Sequence, residues 1–236
     1  MATAKSETPL IIFDCDGVLV DSEPISLAVL VEALNAAGVA LDERRAKDLF
    51  LGRSLASMIA TARDEYGLAI DDAFLTAMRL SLYERFRAEL KPVDGILDTL
   101  AAMDEHGIDW CVASSSQPER IELSLTVAGI LPRFSPRIFS ASMVEHGKPA
   151  PDLFLFAARA MGRKPENCTV IEDSPAGIAA AKAAGMQVFA FLGGSHARDP
   201  AFHDAIRALD ADAVFDAMDD LLHLATQNKS RDGSRP

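Results

Sequence analysis

Residues 11–24 read IIFDCDGVLVDSEP, an apolar run followed by a cluster of acidic side chains. The apolar run is typical of a strand that is buried on both faces of a sheet. It ends in Asp14 and Asp16, with Asp21 and Glu23 close behind. Carboxylates resist burial, and like charges at short range resist each other. Such a cluster at the tip of a buried strand therefore indicates a bound cation that makes it tolerable.

Other short apolar runs in the chain resemble this first one. They are continuous rather than alternating, as the strands of a parallel sheet are. Together with LIIF (10–13), the set comprises WCVAS (110–114), RIFSA (137–141), CTVI (168–171), QVFAFL (187–192) and AVF (213–215). Helical patterns separate these runs from residue 94 onward, as in PAGIAAAKAAG at 175–185. The alternation predicts an α/β fold, a doubly wound Rossmann-like parallel sheet.

Residues 24–91 interrupt the alternation, because helical patterns follow one another there without a strand-like run between them. They suggest about four helices. We therefore predict an α-helical cap domain over residues 22–92, inserted after the first strand. The Rossmann-like core would comprise residues 1–21 and 93–228. Residues 229–236 are polar, and we predict a disordered tail there.

The composition is that of an ordinary globular protein, with 49% hydrophobic and 25% charged residues. A formal net charge of −12 argues against nucleic acid as a partner, because phosphate binding needs clustered Lys and Arg. No apolar stretch approaches the ~20 residues of a membrane span, and residues 1–9 lack the apolar segment of a secretory signal. We expect a cytoplasmic monomer or small homo-oligomer without a membrane partner. The three cysteines are too few to predict a disulfide framework.

Polar residues follow several of the predicted strands, and ligands of open α/β sheets bind at these carboxyl ends. The candidate residues are Asp14, Asp16, Ser114, Ser115, Lys148, Glu172 and Asp173. Asp14 and Asp173, with help from Glu172, offer the oxygen ligands that Mg²⁺ prefers. Ser114 and Lys148 suit the oxygens and the charge of a phosphate group. One carboxylate could then attack phosphorus while a second moves a proton.

Four motifs carry a resemblance to a known family. They are DCDGVLVDSEP (14–24), VASSS (112–116), GKPAPD (147–152) and IEDSPAG (171–177). With these motifs in this order, the chain resembles the haloacid dehalogenase (HAD) superfamily of hydrolases, in the branch with a helical cap inserted after the first strand. The resemblance extends over roughly residues 9–225.

The resemblance implies catalytic and substrate-binding roles. Asp14 would be the nucleophile that forms an aspartyl-phosphate, and Asp16 the general acid and base. Ser114 and Lys148 would hold the transferring phosphoryl group. Ser115 is a further candidate for substrate binding, although a role in capping the following helix is an equal alternative for it.

The resemblance also implies a magnesium site. Asp14, the backbone carbonyl of Asp16, and Asp173 would hold Mg²⁺. Glu172 would be either a direct ligand or a partner of one.

Asp16 has no counterpart in the dehalogenases of the superfamily, so its presence favours phosphoryl transfer. The leading hypothesis is a phosphoric monoester hydrolase, a Mg²⁺-dependent phosphatase acting on a small sugar or polyol phosphate. The first alternative is intramolecular phosphoryl transfer of the β-phosphoglucomutase type. The mutase has a cap histidine where Ser26 stands here and a Lys-Asn pair in place of Gln117 and Pro118, which favours the phosphatase. A second alternative is a catalytically silent binding protein of the same fold.

Two other residues, Arg53 and His196, are candidates for positions near the site. Arg53, near the position of the mutase's cap arginine, is a candidate for contacting the sugar, with an ordinary surface arginine as the alternative. The five histidines lack metal-ligand spacing. His196 is the one expected to approach the site, without a catalytic role.

Overall fold

The computed structural model of the chain describes residues 9–42, 45–46, 49 and 55–227. These residues fall into two compact units, one within Met1–Asp21 and Pro92–Pro236 and the other within Ser22–Lys91. Arg53 and the predicted tail at 229–236 lie outside the described residues.

The first unit is built on a six-stranded sheet in the order β3-β2-β1-β4-β5-β6. Every neighbouring pair of strands is parallel. The strands are β1 (Leu10–Phe13), β2 (Asp109–Ser114), β3 (Ile138–Ser140), β4 (Cys168–Glu172), β5 (Gln187–Phe191) and β6 (Ala213–Phe215). All four residues of β1 are 0% exposed, which explains why its sequence is continuously apolar. The predicted parallel α/β fold is confirmed.

The second unit is helical over its described residues. Its helices are α1 (Glu23–Ala36), α2 (Leu55–Tyr66) and α3 (Asp72–Glu89). Apolar side chains such as Leu34 and Ala62, both 0% exposed, form a separate core for this unit. Arg85 of α3 binds Glu32 of α1 at 2.9 Å. The helix predicted from LDERRAKDLFLG (41–52) lies largely outside the described residues, although residues 45, 46 and 49 are helical.

The remaining helices belong to the first unit. They are α4 (Ile96–Glu105), α5 (Pro118–Val127), α6 (Leu131–Phe134), α7 (Asp152–Ala160), α8 (Pro175–Ala183), α9 (Pro200–Arg207) and α10 (Leu221–Gln227). Leu153 and Phe154 of α7 and Ile178 of α8 join Leu10 and Ile12 in one buried cluster. Among the described residues, no helix is both long enough and apolar enough to cross a bilayer.

The start of α3 offers a test of the helical unit. Asp71 caps this helix, accepting a hydrogen bond from the Phe74 amide at 2.8 Å. Asp71→Ala should cost about 0.5–2 kcal/mol of stability because that amide loses its partner. Asp71→Asn retains an acceptor and serves as the matched control. Hydrogen exchange of the α3 amides would measure the effect, and equal losses in both variants would assign it to charge rather than to capping.

Candidate active site

The carboxyl ends of three adjacent strands bring the site together. β1 lies between β2 and β4, and the Asp14 amide donates to the Ile171 carbonyl at 2.9 Å, which extends the pairing with β4 by one residue. Asp14 is therefore the first residue after β1, and it lies beside Ser114 at the end of β2 and Glu172 at the end of β4. A turn after Asp16 is made by Gly17, whose φ of +81° lies in the left-handed region that favours glycine.

Lys148 is the central cation of the site. Its Nζ lies 2.6 Å from Asp14 Oδ1 and 2.6 Å from Glu172 Oε1, and it donates to the Ala113 carbonyl at 3.0 Å. The side chain is only 2% exposed. Burial alone would lower the pKa of Lys148, but Asp14 and Glu172 outweigh burial and hold that pKa above the ordinary lysine value. The lysine is therefore a fixed positive charge.

Glu172 uses both of its carboxylate oxygens. While Oε1 accepts from Lys148, Oε2 accepts from the Asp173 amide at 3.0 Å and from the amide and hydroxyl of Ser174 at 2.9 and 2.8 Å. Ser174 in turn caps α8. A Cβ at Gly177 would overlap the Glu172 carboxylate, so glycine is required at that place. Glu172 thus ties the lysine to the beginning of α8.

Asp173 lies beside His196, whose Nε2 is 3.0 Å from Asp173 Oδ2. His196 follows β5, in a short helical turn, Ser195–Arg198. The sequence predicted that His196 would approach the site, and its contact is with a candidate metal ligand. Burial raises the pKa of Asp173, and the hydrogen bond and charge of His196 oppose that rise.

The acidic residues fit a divalent cation. Asp14, Glu172 and Asp173 are all buried, and ligand atoms from the three lie within 4.8 Å of one another. Burial raises the pKa of Asp14 well above its usual range; Lys148 lowers it, whereas the other nearby carboxylates raise it further. Hard oxygen donors in this number suit Mg²⁺ or a similar ion. The cluster can therefore hold a divalent metal ion.

Asp16 has partners of its own. Its two carboxylate oxygens accept hydrogen bonds from the Ser116 hydroxyl at 2.7 Å and from Arg120 at 2.8 Å. Arg120 lies in the first turn of α5, and its side chain is 22% exposed. Arg120 is not among the site residues predicted from the sequence. Its position in the first turn of a helix that begins at the carboxyl end of β2 was the available signal.

The serines after β2 differ in their surroundings. Ser114 is 1% exposed, and its hydroxyl accepts a hydrogen bond from the Ser116 amide at 3.1 Å. Ser115 is exposed. Ser116 is the serine that contacts Asp16.

Cys15 lies between the two aspartates in the chain and is 1% exposed. Burial, followed by the charges of Asp16 and Asp14, raises the pKa of its thiol well above the ordinary cysteine value. The side chain is therefore a neutral, packed group.

With this geometry in place, comparison with known proteins identifies the family. Residues 8–185 match the family of haloacid dehalogenase-like hydrolases. The chain belongs to this family, and the resemblance seen in its four motifs is confirmed.

Similar proteins indicate which kind of hydrolase this chain is. The chain is 31% identical over 192 residues to 6-phosphogluconate phosphatase of Escherichia coli (strain K12), covering 81% of this chain and 86% of that protein. It is 30% identical over 183 residues to hexitol phosphatase A of the same organism, covering 76% and 81%. A solved structure, a haloacid dehalogenase-like protein of unknown function from Agrobacterium tumefaciens, matches with a TM-score of 0.82 and 33% identity, over 94% of this chain and 99% of that one. The prediction of a phosphatase-type enzyme is confirmed.

Lys148 gives a test of the site's electrostatics. Lys148→Met should lower the free energy of unfolding near neutral pH by about 3–5 kcal/mol, because Asp14 and Glu172 are left buried without a cation. In this variant the folded state should bind more protons than the unfolded state, so the deficit should shrink as the pH falls from about 8 to about 5. Lys148 itself stays charged over that range, because its raised pKa is reached only at strongly alkaline pH, so the change in the deficit reports the carboxylates.

Denaturant unfolding at several pH values would measure this deficit. Lys182→Met is the matched control, because Lys182 donates to the carbonyls of Leu209 and Asp210 at 2.8 and 2.7 Å. The carboxylate that Lys182 approaches, that of Asp210 at 3.9 Å, is fully exposed. A deficit that is independent of pH would contradict the assignment of the loss to the two carboxylates.

Proposed function

We propose that this protein is a Mg²⁺-dependent phosphatase that hydrolyses a small sugar or polyol phosphate through an aspartyl-phosphate on Asp14. The observation that carries the proposal is the Asp14 carboxylate, held by the buried Lys148 within a group of three buried carboxylates. The names of the relatives, a 6-phosphogluconate phosphatase and a hexitol phosphatase, support the substrate class.

In the first step, an Asp14 carboxylate oxygen forms a bond to phosphorus while the bond from phosphorus to the sugar oxygen breaks. Lys148 fixes Asp14 through Oδ1 and offers positive charge where the phosphoryl oxygens collect negative charge. Ser114 and Ser115 are the candidates for hydrogen bonds to those oxygens. Asp16 gives its proton to the leaving oxygen, so that the sugar departs as a neutral alcohol.

In the second step, Asp16 takes a proton from water, and the water oxygen attacks phosphorus. Inorganic phosphate leaves and the Asp14 carboxylate is restored. Arg120 places its positive charge 2.8 Å from the carboxylate that Asp16 becomes once it has given its proton to the leaving oxygen. The contacts of Ser116 and Arg120 hold the carboxylate in place between the two steps.

Asp14, Asp173 and the backbone carbonyl of Asp16 are proposed to hold the cation. Mg²⁺ bound there would offset the surplus negative charge and attract the phosphate dianion. Glu172 acts, in this proposal, as the anchor of Lys148 rather than as a ligand, because both of its oxygens already accept hydrogen bonds from the protein.

The size of the barrier explains why several groups act together. Hydrolysis of a phosphate monoester requires accelerations up to ~10²¹. One general acid or base contributes only about 10²- to 10⁴-fold. Nucleophile, lysine, oriented donors and cation are each needed. The helical unit at residues 22–92 is proposed to act as a cap that excludes water and selects the substrate.

The central experiment tests the nucleophile. Asp14→Asn should show no turnover, because the amide neither attacks phosphorus nor replaces the charged oxygen. Asp98→Asn, a change at an exposed aspartate in the first turn of α4, is the matched control and should retain full activity. Phosphate release from a panel of sugar and polyol phosphates would be measured with EDTA and after addition of Mg²⁺ or Ca²⁺. Activity that survives in Asp14→Asn or in EDTA would refute the mechanism.

The same enzyme preparation separates hydrolysis from the mutase alternative. Incubation with β-glucose 1-phosphate, Mg²⁺ and a trace of glucose 1,6-bisphosphate should give little glucose 6-phosphate. In ¹⁸O-water the label should enter the released phosphate. Efficient formation of glucose 6-phosphate would make the alternative correct.

Asp16 should respond to the leaving group. Asp16→Asn should retain part of its activity on p-nitrophenyl phosphate, whose leaving group needs no proton, and should lose ~10²- to 10⁴-fold on an alkyl phosphate. Single-turnover rates of the first step on the two substrates give the comparison. Equal losses in the single-turnover rate of the first step would contradict the role of Asp16 as the proton donor to the leaving oxygen.

A further inference from the structure

We propose that His196 is a positioning residue of the cation site, one that orients Asp173 through a hydrogen bond from its Nε2–H. The inference rests on the metal-binding part of the proposed function, because it assigns a partner to one proposed ligand. The role lies outside the four sequence motifs, since His196 follows β5 rather than any of them.

The contact between His196 and Asp173 has the length of a hydrogen bond and is shielded from water. Nε2 of His196 is 3.0 Å from Asp173 Oδ2, and the two side chains are 5% and 8% exposed. An aspartate has two oxygens on one rotating carboxyl group. A donor that occupies Oδ2 fixes this rotation, so that Asp173 would bind a cation through its other oxygen.

The imidazole ring is held from several sides. It makes an edge contact with Phe202 of α9 at 5.5 Å between ring centres. A Cβ at Gly194 would lie 2.6 Å from His196 Cε1, and a Cβ at Gly17 would lie 3.0 Å from the same atom. The Cβ at Gly17 would also overlap Asp173 Oδ2. Glycine at both positions therefore lets the ring and the carboxylate meet.

The loop that carries His196 is anchored beside it. The amide and hydroxyl of Ser195 both donate to Asp21 Oδ1, at 3.2 and 2.8 Å. The Ala197 amide donates to the Gly194 carbonyl at 3.0 Å, and Ala197 is 0% exposed. The backbone on either side of His196 is thus fixed. A fixed backbone is needed if the imidazole ring is to hold one oxygen of Asp173 in place.

Groups that hydrogen-bond to metal ligands tune metal affinity, and their removal typically weakens binding by 10- to 100-fold. His196→Leu removes the donor but keeps an apolar side chain of similar volume. His196→Gln keeps an N–H at a similar distance from the backbone. The two variants therefore separate the hydrogen bond from the packing.

The test measures Mg²⁺ binding directly, by calorimetry on protein freed of metal with EDTA and without substrate. His196→Leu should raise the Kd for Mg²⁺ by about 10- to 100-fold, whereas His196→Gln should stay within about 5-fold of wild type. Asp173→Asn is the positive control for lost binding. His106→Leu, at an exposed histidine, is the matched control and should bind as wild type does.

Kinetics add a second measurement. In His196→Leu the Mg²⁺ concentration for half-maximal activity should rise by the same factor as the Kd. At saturating Mg²⁺, kcat and the KM for substrate should remain within about 3-fold of wild type, because the effect acts through metal affinity. If His196 only packed the loop, its loss would not raise the Mg²⁺ requirement while leaving kcat and KM unchanged. His196→Gln would then not restore the Mg²⁺ affinity.

Each outcome decides the inference. Unchanged Mg²⁺ affinity in His196→Leu, with Asp173→Asn impaired, would overturn the role of His196 and leave the proposed function standing. Wild type and Asp173→Asn that bind Mg²⁺ equally would instead refute the metal site itself. If circular dichroism shows that His196→Leu does not fold, His196→Asn takes its place, because its shorter amide cannot reach Asp173 and should weaken binding similarly.

Discussion

The ammonium group of Lys148 lies between the carboxylates of Asp14 and Glu172, and the rest of the candidate site is arranged around this contact. If Asp14, Glu172 and Asp173 are all ionised, their three negative charges and the one positive charge of Lys148 leave a net charge of −2. Water cannot disperse this charge because the groups are buried. The surplus is the physical basis for cation binding. Burial first, and then the neighbouring carboxylates, raise the pKa of Asp14 and Asp173.

The fold supplies what this contact needs. The order of the strands places β1 between β2 and β4, so three chain segments distant in sequence end side by side. The loop before α7 delivers the lysine, and the beginning of α8 provides donors for Glu172. A cluster of this kind opposes folding in the absence of metal. The large apolar core formed by the strands and the helices packed on them offsets that cost. Active sites are commonly destabilising in this way, and the rest of the fold supplies the stability.

The sequence predicted the sheet well because strands buried on both faces leave a simple trace, a continuous apolar run. The six runs correspond to the six strands, with a shift of one residue at some ends, as at Asp109 of β2. The sequence pointed to Asp14, Lys148, Glu172 and Asp173 because each lies at a strand end or within one of the four motifs. It did not point to Arg120, because its contact with Asp16 joins residues 104 positions apart and depends on the turn of a helix. The partner of His196 was hidden for a similar reason, since the path of the loop after β5 has no periodic signature.

The burial of Cys15 and of the other two cysteines makes their thiols unreactive in the folded protein. The thiolate is the reactive form of cysteine. Burial, and then the charges of Asp16 and Asp14, raise the pKa of Cys15 and keep that form scarce. Cys111 and Cys168 are buried as well, and burial raises the pKa of Cys168 to about 11. Cys15, Cys111 and Cys168 of the folded chain thus offer no accessible thiolate to alkylating reagents or to peroxide. Thiol labelling of this protein would count molecules whose sheet has opened, and mild oxidants would leave the three cysteines of the folded population unmodified.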